Sequence, residues 1–228
     1  MKQPQFVNGE IYHIYNRGVE KRITFLNQKD YMRFADNLFV FNDAIPILNL
    51  GYDLENNDID YGKTRKLLVE ILAFCLMPNH FHLLLRQKVD EGITKFMRKL
   101  GTGYTNYFNK KYSRVGPLFQ GIFKSVLIKR QAQLTYLPHY IHLNCLDITM
   151  PEWRNKNLRN KEKAFIFLDS YRWSSYLDYT GKINFPHIIN KDLIRHLYRS
   201  STSIEYKTEL EKWLDDLNIE TLNDVLLE

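Results

Sequence analysis

The sequence predicts an α+β domain built on an antiparallel sheet. Strand-like and helix-like patterns alternate irregularly rather than in regular βα units, and the chain has no internal repeat. Its 228 residues are 44% hydrophobic and 14% aromatic. That is enough apolar surface for one large core, or one domain with an appendage, and too much for a disordered chain.

The elements follow in order. Ile11 to Asn16 alternates, with Ile11, His13 and Tyr15 against Tyr12 and Ile14, and reads as a strand ending in a turn at Asn16-Arg17-Gly18. Asn27 can cap a helix running to about Phe41, with Tyr31, Phe34, Leu38 and Phe41 on one face. Asn42 to Thr64 is polar and reads as a long loop or insertion. Leu67 to Met77 is a continuous apolar run of strand length, broken by Pro78-Asn79, and His80 to Gln87 resumes as a strand. From Gly92 onward, Ile93, Phe96, Met97, Leu100, Tyr104, Tyr107 and Phe108 recur at helical steps. Gly116-Pro117 marks a turn, and Leu118 to Lys129 becomes strand-like at its end. Gln131 to Asn144 reads as a helix that begins near Leu137, with Pro138 in its first turn, or kinks there. Met150 to Lys163 reads as a polar loop. The tail after Asn190 reads as two amphipathic helices, one on Leu193 and Leu197, the other on Tyr206, Leu210, Trp213, Leu214 and Leu217.

The formal charge is +6, which by itself fits either a polyanion partner or an ordinary soluble surface. Its distribution is more informative. Between Arg86 and Arg130, eleven bases and two acids give +9, while from Ser201 to Glu228 two bases and eight acids give −6. The middle of the chain is therefore the polyanion-binding candidate, with aromatics interleaved that can stack on unpaired bases or fill a core. The acidic tail is either a flap over that basic face or a packed accessory element. Two cysteines, Cys75 and Cys145, do not make a disulfide scaffold. No apolar run approaches membrane-spanning length and residues 1–9 have no signal core, so a soluble cytoplasmic protein is expected.

Two clusters could carry chemistry. On a strand, His80 and His82 face the same way while Phe81 points to the opposite layer. Two such imidazoles can converge on a divalent ion if a third ligand joins them, although a His-x-His pair is a weak motif by itself. On a helix, Tyr140 and Asn144 are one turn apart and share a face, with Tyr136 one turn earlier. A tyrosine is a poor nucleophile at neutral pH unless the attacked phosphate is polarised, so a tyrosine beside a metal ligand is what covalent phosphodiester cleavage requires.

Phe74-Cys-Leu-Met-Pro-Asn-His-Phe-His-Leu-Leu-Leu85 resembles the metal motif of the single-tyrosine HUH transposases, above all the REP-associated tyrosine transposases. Four further family-like landmarks occur in order: Tyr12 to Gly18, Phe96 to Asn109, Gly116 to Lys124, and Tyr140 to Asn144, with Trp173-Ser-Ser-Tyr176 beyond them. The resemblance spans about residues 8–180. It implies a ferredoxin-like antiparallel sheet with helices packed on it, the HUH nuclease fold, as a domain over 1–180, followed by an acidic helical extension over 181–228. It implies cleavage and rejoining of single-stranded, hairpin-bearing DNA through a 5′-phosphotyrosine, with no nucleotide cofactor. Tyr140 would be the nucleophile, and Tyr136 the runner-up. His80, His82 and Asn144 would bind Mg²⁺ or Mn²⁺. The basic side chains expected to hold DNA are Arg17, Arg98, Lys99, Lys110, Lys111, Arg114, Lys124, Lys129 and Arg130. Related enzymes act as monomers or homodimers. A domesticated, non-cleaving hairpin-binding protein is the alternative. The sequence departs from the family pattern in having Cys145 where a proline commonly follows the asparagine, Ile122 where a basic residue is frequent, and a long 42–64 segment.

Overall fold

The computed structural model describes residues 5–45, 59–155, 158–192 and 203–215. In chain order it has β1 (Ile11–Arg17), α1 (Gln28–Val40), β2 (Val69–Met77), β3 (His80–Gln87), α2 (Gly92–Lys111), β4 (Lys124–Leu127) and α3 (Gln131–Leu143). Two 3₁₀ turns follow, Asn144–Ile148 and Pro151–Asn155, then α4 (Lys161–Ser170), the short α5 (Tyr176–Tyr179) and α6 (Ser203–Asp215). The strands form one sheet in the order β2-β3-β1-β4, and each neighbouring pair is antiparallel. With α1 and α2 as the crossovers, this is the ferredoxin-like βαββαβ arrangement.

Alternation along the strands divides the core into two layers. On one face, Ile14, Phe74, Leu76, Phe81, Leu83 and Leu85 pack with α1 and α2 through Phe34, Leu38, Phe96 and Leu100. On the other, Ala73, Cys75, Met77 and Leu84 pack with α3, Trp153, α4 and α6. Helix α1 starts where the sequence says it should: the Asn27 side chain accepts from the Lys29 and Asp30 amides, and the Asp30 carboxylate accepts in return from the Asn27 amide. The start of the polar segment after α1 is pinned to the sheet. The Asn42 carboxamide accepts from the Leu68 and Val69 amides and donates to the Val69 carbonyl.

Several expectations are corrected. The stretch Met150 to Lys163 is not a plain loop. Trp153 is buried on a 3₁₀ turn, and α4 begins at Lys161 behind an Asn160 cap, with Ala164, Phe165 and Leu168 buried. The helix-forming apolar positions of α4 start only after its polar first turn, which hid its beginning. Helix α3 runs from Gln131, so Pro138 lies in its interior rather than its first turn. Strand β1 extends one residue further than expected, through Arg17; the strand-like end of the Leu118 to Lys129 stretch is as expected and spans Lys124–Leu127. The described part of the tail is a packed element, since α6 buries Tyr206, Leu210, Trp213 and Leu214 in the core layer that holds α3. The Leu193/Leu197 helix, Leu217 and most of the 42–64 segment lie outside the described residues. No helix among the described residues is long and apolar enough to cross a membrane.

Candidate active site

The sheet face covered by α3 carries a cluster of rings. Register places Tyr15 opposite His82 and Arg17 opposite His80, so these four side chains share one face with His13, two residues before Tyr15. The His80 and His82 rings are 5.1 Å apart and nearly perpendicular. His82 is buried, stacked at 5.2 Å on His13 and at 5.9 Å on Tyr15. Its Nδ1 is 3.0 Å from His13 Nε2, close enough for the two rings to share a proton. Lys124, opposite Tyr15 on β4, holds its ammonium 5.6 Å from the Tyr15 ring. Phe81 points the other way, against Phe34 and Phe119, as alternation requires.

Helix α3 lays Tyr140 over this face. Its ring meets His82 edge-on, with centroids 6.3 Å apart. One turn on, the Asn144 Nδ2 donates to the Tyr140 carbonyl at 2.8 Å. Both side chains are fully buried. What covers them is Arg154, from the second 3₁₀ turn. Its Nη1 donates to Tyr140 Oη at 2.8 Å, and its Nη2 donates to Asn144 Oδ1 at 2.7 Å. Asp147 accepts from Arg154 Nε at 2.9 Å and from Nη2 at 2.7 Å, and also from Trp153 Nε1 at 2.7 Å. Burial pulls the Arg154 pKa down, but the Asp147 hydrogen bond and the neighbouring Tyr140 outweigh it, so the guanidinium stays charged. Tyr136 is placed differently: its ring stacks toward Trp213 of α6, at 6.3 Å.

The histidines suit a divalent ion. The Asn79 carboxamide oxygen lies 2.6 Å from His80 Nδ1 and, as an acceptor, keeps the proton there, which leaves Nε2 with its lone pair. His13 Nε2 stands against His82 Nδ1, so each ring has an outer partner, and His82 presents Nε2 with its lone pair in the tautomer in which its Nδ1 donates to His13. Among the described residues no three His, Cys, Asp or Glu side chains converge to hold a metal ion. A third protein ligand would be a neutral oxygen such as that of Asn144, which here accepts from Arg154.

The expected DNA-holding cations separate into groups. Arg17 and Lys124 are exposed beside the histidines, and Lys129 and Arg130 are exposed at the entry to α3. Arg98 and Lys110 line α2. Three of the set are engaged within the fold: Lys99 donates to the Asp43 carbonyl at 2.7 Å, Lys111 to the buried Asp30 at 2.6 Å, and Arg114 to Asn109 Oδ1 at 2.7 Å. A groove of about 540 Å³ lies on the opposite sheet face, between α2 and the Gly116 to Phe123 segment, with Asn16, Arg98, Asn106, Phe119 and Phe123 in its walls.

Sequence reasoning singled out His80, His82, Tyr140 and Asn144; the fold sets Tyr140 over His82 beside His80, and Asn144 lies next to Tyr140 under Arg154. His13 and Tyr15 lay within the Tyr12 to Gly18 landmark without an assigned role. Asp147, Trp153 and Arg154 were missed. Nothing in the local pattern distinguishes an arginine in a polar stretch from a solvated one.

Residues 47–144 match the family model of IS200-like transposases. A solved structure of a REP-associated tyrosine transposase bound to a REP hairpin is similar in fold, with a TM-score of 0.50 and 12% identity over 85% of this chain and 92% of that chain. No curated protein matches the sequence. The resemblance read from the motifs is thus met by a sequence match that ends at Asn144 and by a fold match that extends beyond it.

Proposed function

We propose, from the premise that residues 47–144 are IS200-like transposase sequence, that this chain is a transposase-like DNA strand transferase acting on single-stranded, hairpin-bearing DNA. The observation that carries the reading is the convergence of Tyr140 on His82, at 6.3 Å between rings, above a sheet face that also presents His80. Tyr140 Oη attacks a backbone phosphorus. The O–P bond to tyrosine forms as the P–O3′ bond breaks, giving a 5′-phosphotyrosine. The tyrosine proton is lost to solvent and the departing O3′ takes one up. Attack by a second 3′-OH reverses the exchange and rejoins the strands. Mg²⁺ or Mn²⁺ held by His80, His82 and Asn144 would supply positive charge to the attacked phosphate. His13 and Asn79 keep the two imidazoles oriented. Arg17 and Lys124 flank the face and neutralise neighbouring phosphates, and Arg98, Lys110, Lys129 and Arg130 extend that path. The reading places the catalytic unit in residues 1–180, acting in the cytoplasm as a monomer or homodimer, with 181–228 as an accessory extension.

The test is a labelled hairpin oligonucleotide incubated with the protein and Mn²⁺. A covalent adduct that disappears in Tyr140→Phe is the expected result. Adduct formation that survives Tyr140→Phe would sink the assignment of the nucleophile. A second reading, a non-cleaving hairpin-binding protein, is favoured by one observation: Tyr140 is fully buried and the Asn144 oxygen is taken by Arg154. Tight, metal-independent hairpin binding without adduct would select it.

A further inference from the structure

We propose that Arg154 is a further catalytic residue of this site, the group that receives the scissile phosphate; the inference rests on the reading of Tyr140 as nucleophile. Its guanidinium touches both groups that the reading needs, Tyr140 Oη at 2.8 Å and Asn144 Oδ1 at 2.7 Å. A phosphorus attacked by that hydroxyl must stand about 3–3.5 Å from Oη. Its non-bridging oxygens then fall within reach of the same guanidinium edge, and the planar arginine fork matches phosphate oxygens two at a time. The adjacent edge, which shares Nη2, is already anchored. Asp147 holds Nε and Nη2, and Trp153 Nε1 holds Asp147. The Arg154 guanidinium carbon also sits 4.8 Å from the Trp153 ring centroid and 5.2 Å from that of Tyr140. A carboxylate and an indole therefore orient the fork toward the tyrosine.

The hydroxyl of Tyr140 and the carboxamide of Asn144 occupy the edge that a phosphate would take. An entering phosphate exchanges two neutral acceptors for an anionic one, the stronger partner for a guanidinium. The same exchange releases the Tyr140 hydroxyl for attack and the Asn144 oxygen for a cation. As the bond from Oη to phosphorus forms and the bond to O3′ breaks, Arg154 faces the charge carried on the equatorial oxygens. The tyrosine proton goes to solvent and O3′ is protonated from solvent, so no further reactant is required.

Two measurements test this. The first is single-turnover cleavage of the hairpin oligonucleotide with Mn²⁺, together with its binding affinity, for wild type, Arg154→Lys and Arg154→Gln. Arg154→Gln should slow cleavage at saturating DNA by about 10²–10³-fold while affinity changes little, and Arg154→Lys should recover part of the loss. The second is the Arg154 Nε–H resonance in ¹⁵N-arginine-labelled Tyr140→Phe protein, assigned by its loss when Arg154→Lys is added. It should move when the oligonucleotide binds, whether or not the wild type cleaves. If Arg154→Gln does not fold, Arg154→Lys and the resonance carry the test. A wild-type rate in the Arg154 variants, or a resonance that DNA leaves in place, overturns the assignment and spares the tyrosine reading. A resonance that moves in a protein whose wild type forms no adduct supports phosphate binding by Arg154 and removes the tyrosine chemistry instead.

Discussion

Replacing Lys111 with methionine should unload the fold rather than the DNA. Lys111 belongs to the basic middle segment, yet its ammonium lies 2.6 Å from Asp30 Oδ1, and the Asp30 side chain has no solvent exposure. That carboxylate also accepts from Tyr107 at 2.9 Å, from Tyr112 at 2.7 Å and from the Leu26 amide at 2.8 Å. Burial pushes the Asp30 pKa up. The hydrogen bonds from Lys111, Tyr112, Tyr107 and Leu26 outweigh it, so the group stands below the ordinary carboxylate value. Breaking a fully buried ion pair costs about 3–5 kcal/mol. The 28% exposure of the Lys111 side chain and the two tyrosine hydroxyls that remain reduce this to about 2–3 kcal/mol. For a chain of this size, that lowers the midpoint of thermal unfolding by about 5–10 °C. Because the folded pKa is depressed, the Asp30 contribution is present above the ordinary carboxylate range and is lost as pH falls through the lowered value. Lys111→Met should therefore move acid unfolding to higher pH. Circular dichroism melts measure the stability, and the salt dependence of oligonucleotide binding measures the phosphate contacts. Lys124→Met is the contrast, with an unchanged midpoint and a salt slope reduced by about 0.7. An unchanged midpoint for Lys111→Met together with a reduced salt slope would refute the reasoning.

Two further outcomes are expected. His139 is buried on α3, against Tyr206 at 5.0 Å and Trp213 at 6.0 Å, and burial pulls its pKa from 6.5 to about 3. The unfolded chain then takes up a proton below pH 6.5 that the folded one refuses, so stability falls by about 2 kcal/mol between pH 6.5 and pH 5. His139→Phe should flatten that part of a pH series of urea melts, and an unaltered slope would count against it. At the start of α2, a Cβ on Gly92 would come within 2.2 Å of the Leu68 carbonyl oxygen, which backbone cannot easily vacate. Gly92→Ala should cost about 1–3 kcal/mol, read as a lower unfolding midpoint, despite the better helix propensity of alanine.

Much of the fold was legible because its signals are local. Asn27 caps α1 as expected, with Asp30 completing the box, and the alternation around Phe81 places the two histidines on one face and the phenylalanine in the other layer. The stretch from Met150 to Lys163 was misread because its apolar anchor, Trp153, is isolated in sequence and α4 opens with a polar turn. The tail was ambiguous by charge alone, and burial of Tyr206 and Trp213 against α3 identifies the described part as a packed element.

The sequence by itself determined the residue types of the site and their faces: a His-x-His strand pair and a tyrosine one helical turn before an asparagine. Those depend only on the periods of strand and helix. It also located the basic segment, but it could not say which of its cations the fold itself uses, because Lys99 and Lys111 are engaged by groups far away in the chain. Only the tertiary structure decided that Tyr140 lies over His82, that His13 and Tyr15 join the histidines, and that Arg154 holds Tyr140 and Asn144 together. These contacts join β1, β3, α3 and the two 3₁₀ turns that follow it. Their geometry comes from sheet register and from the packing of one layer on another, which no local spacing encodes.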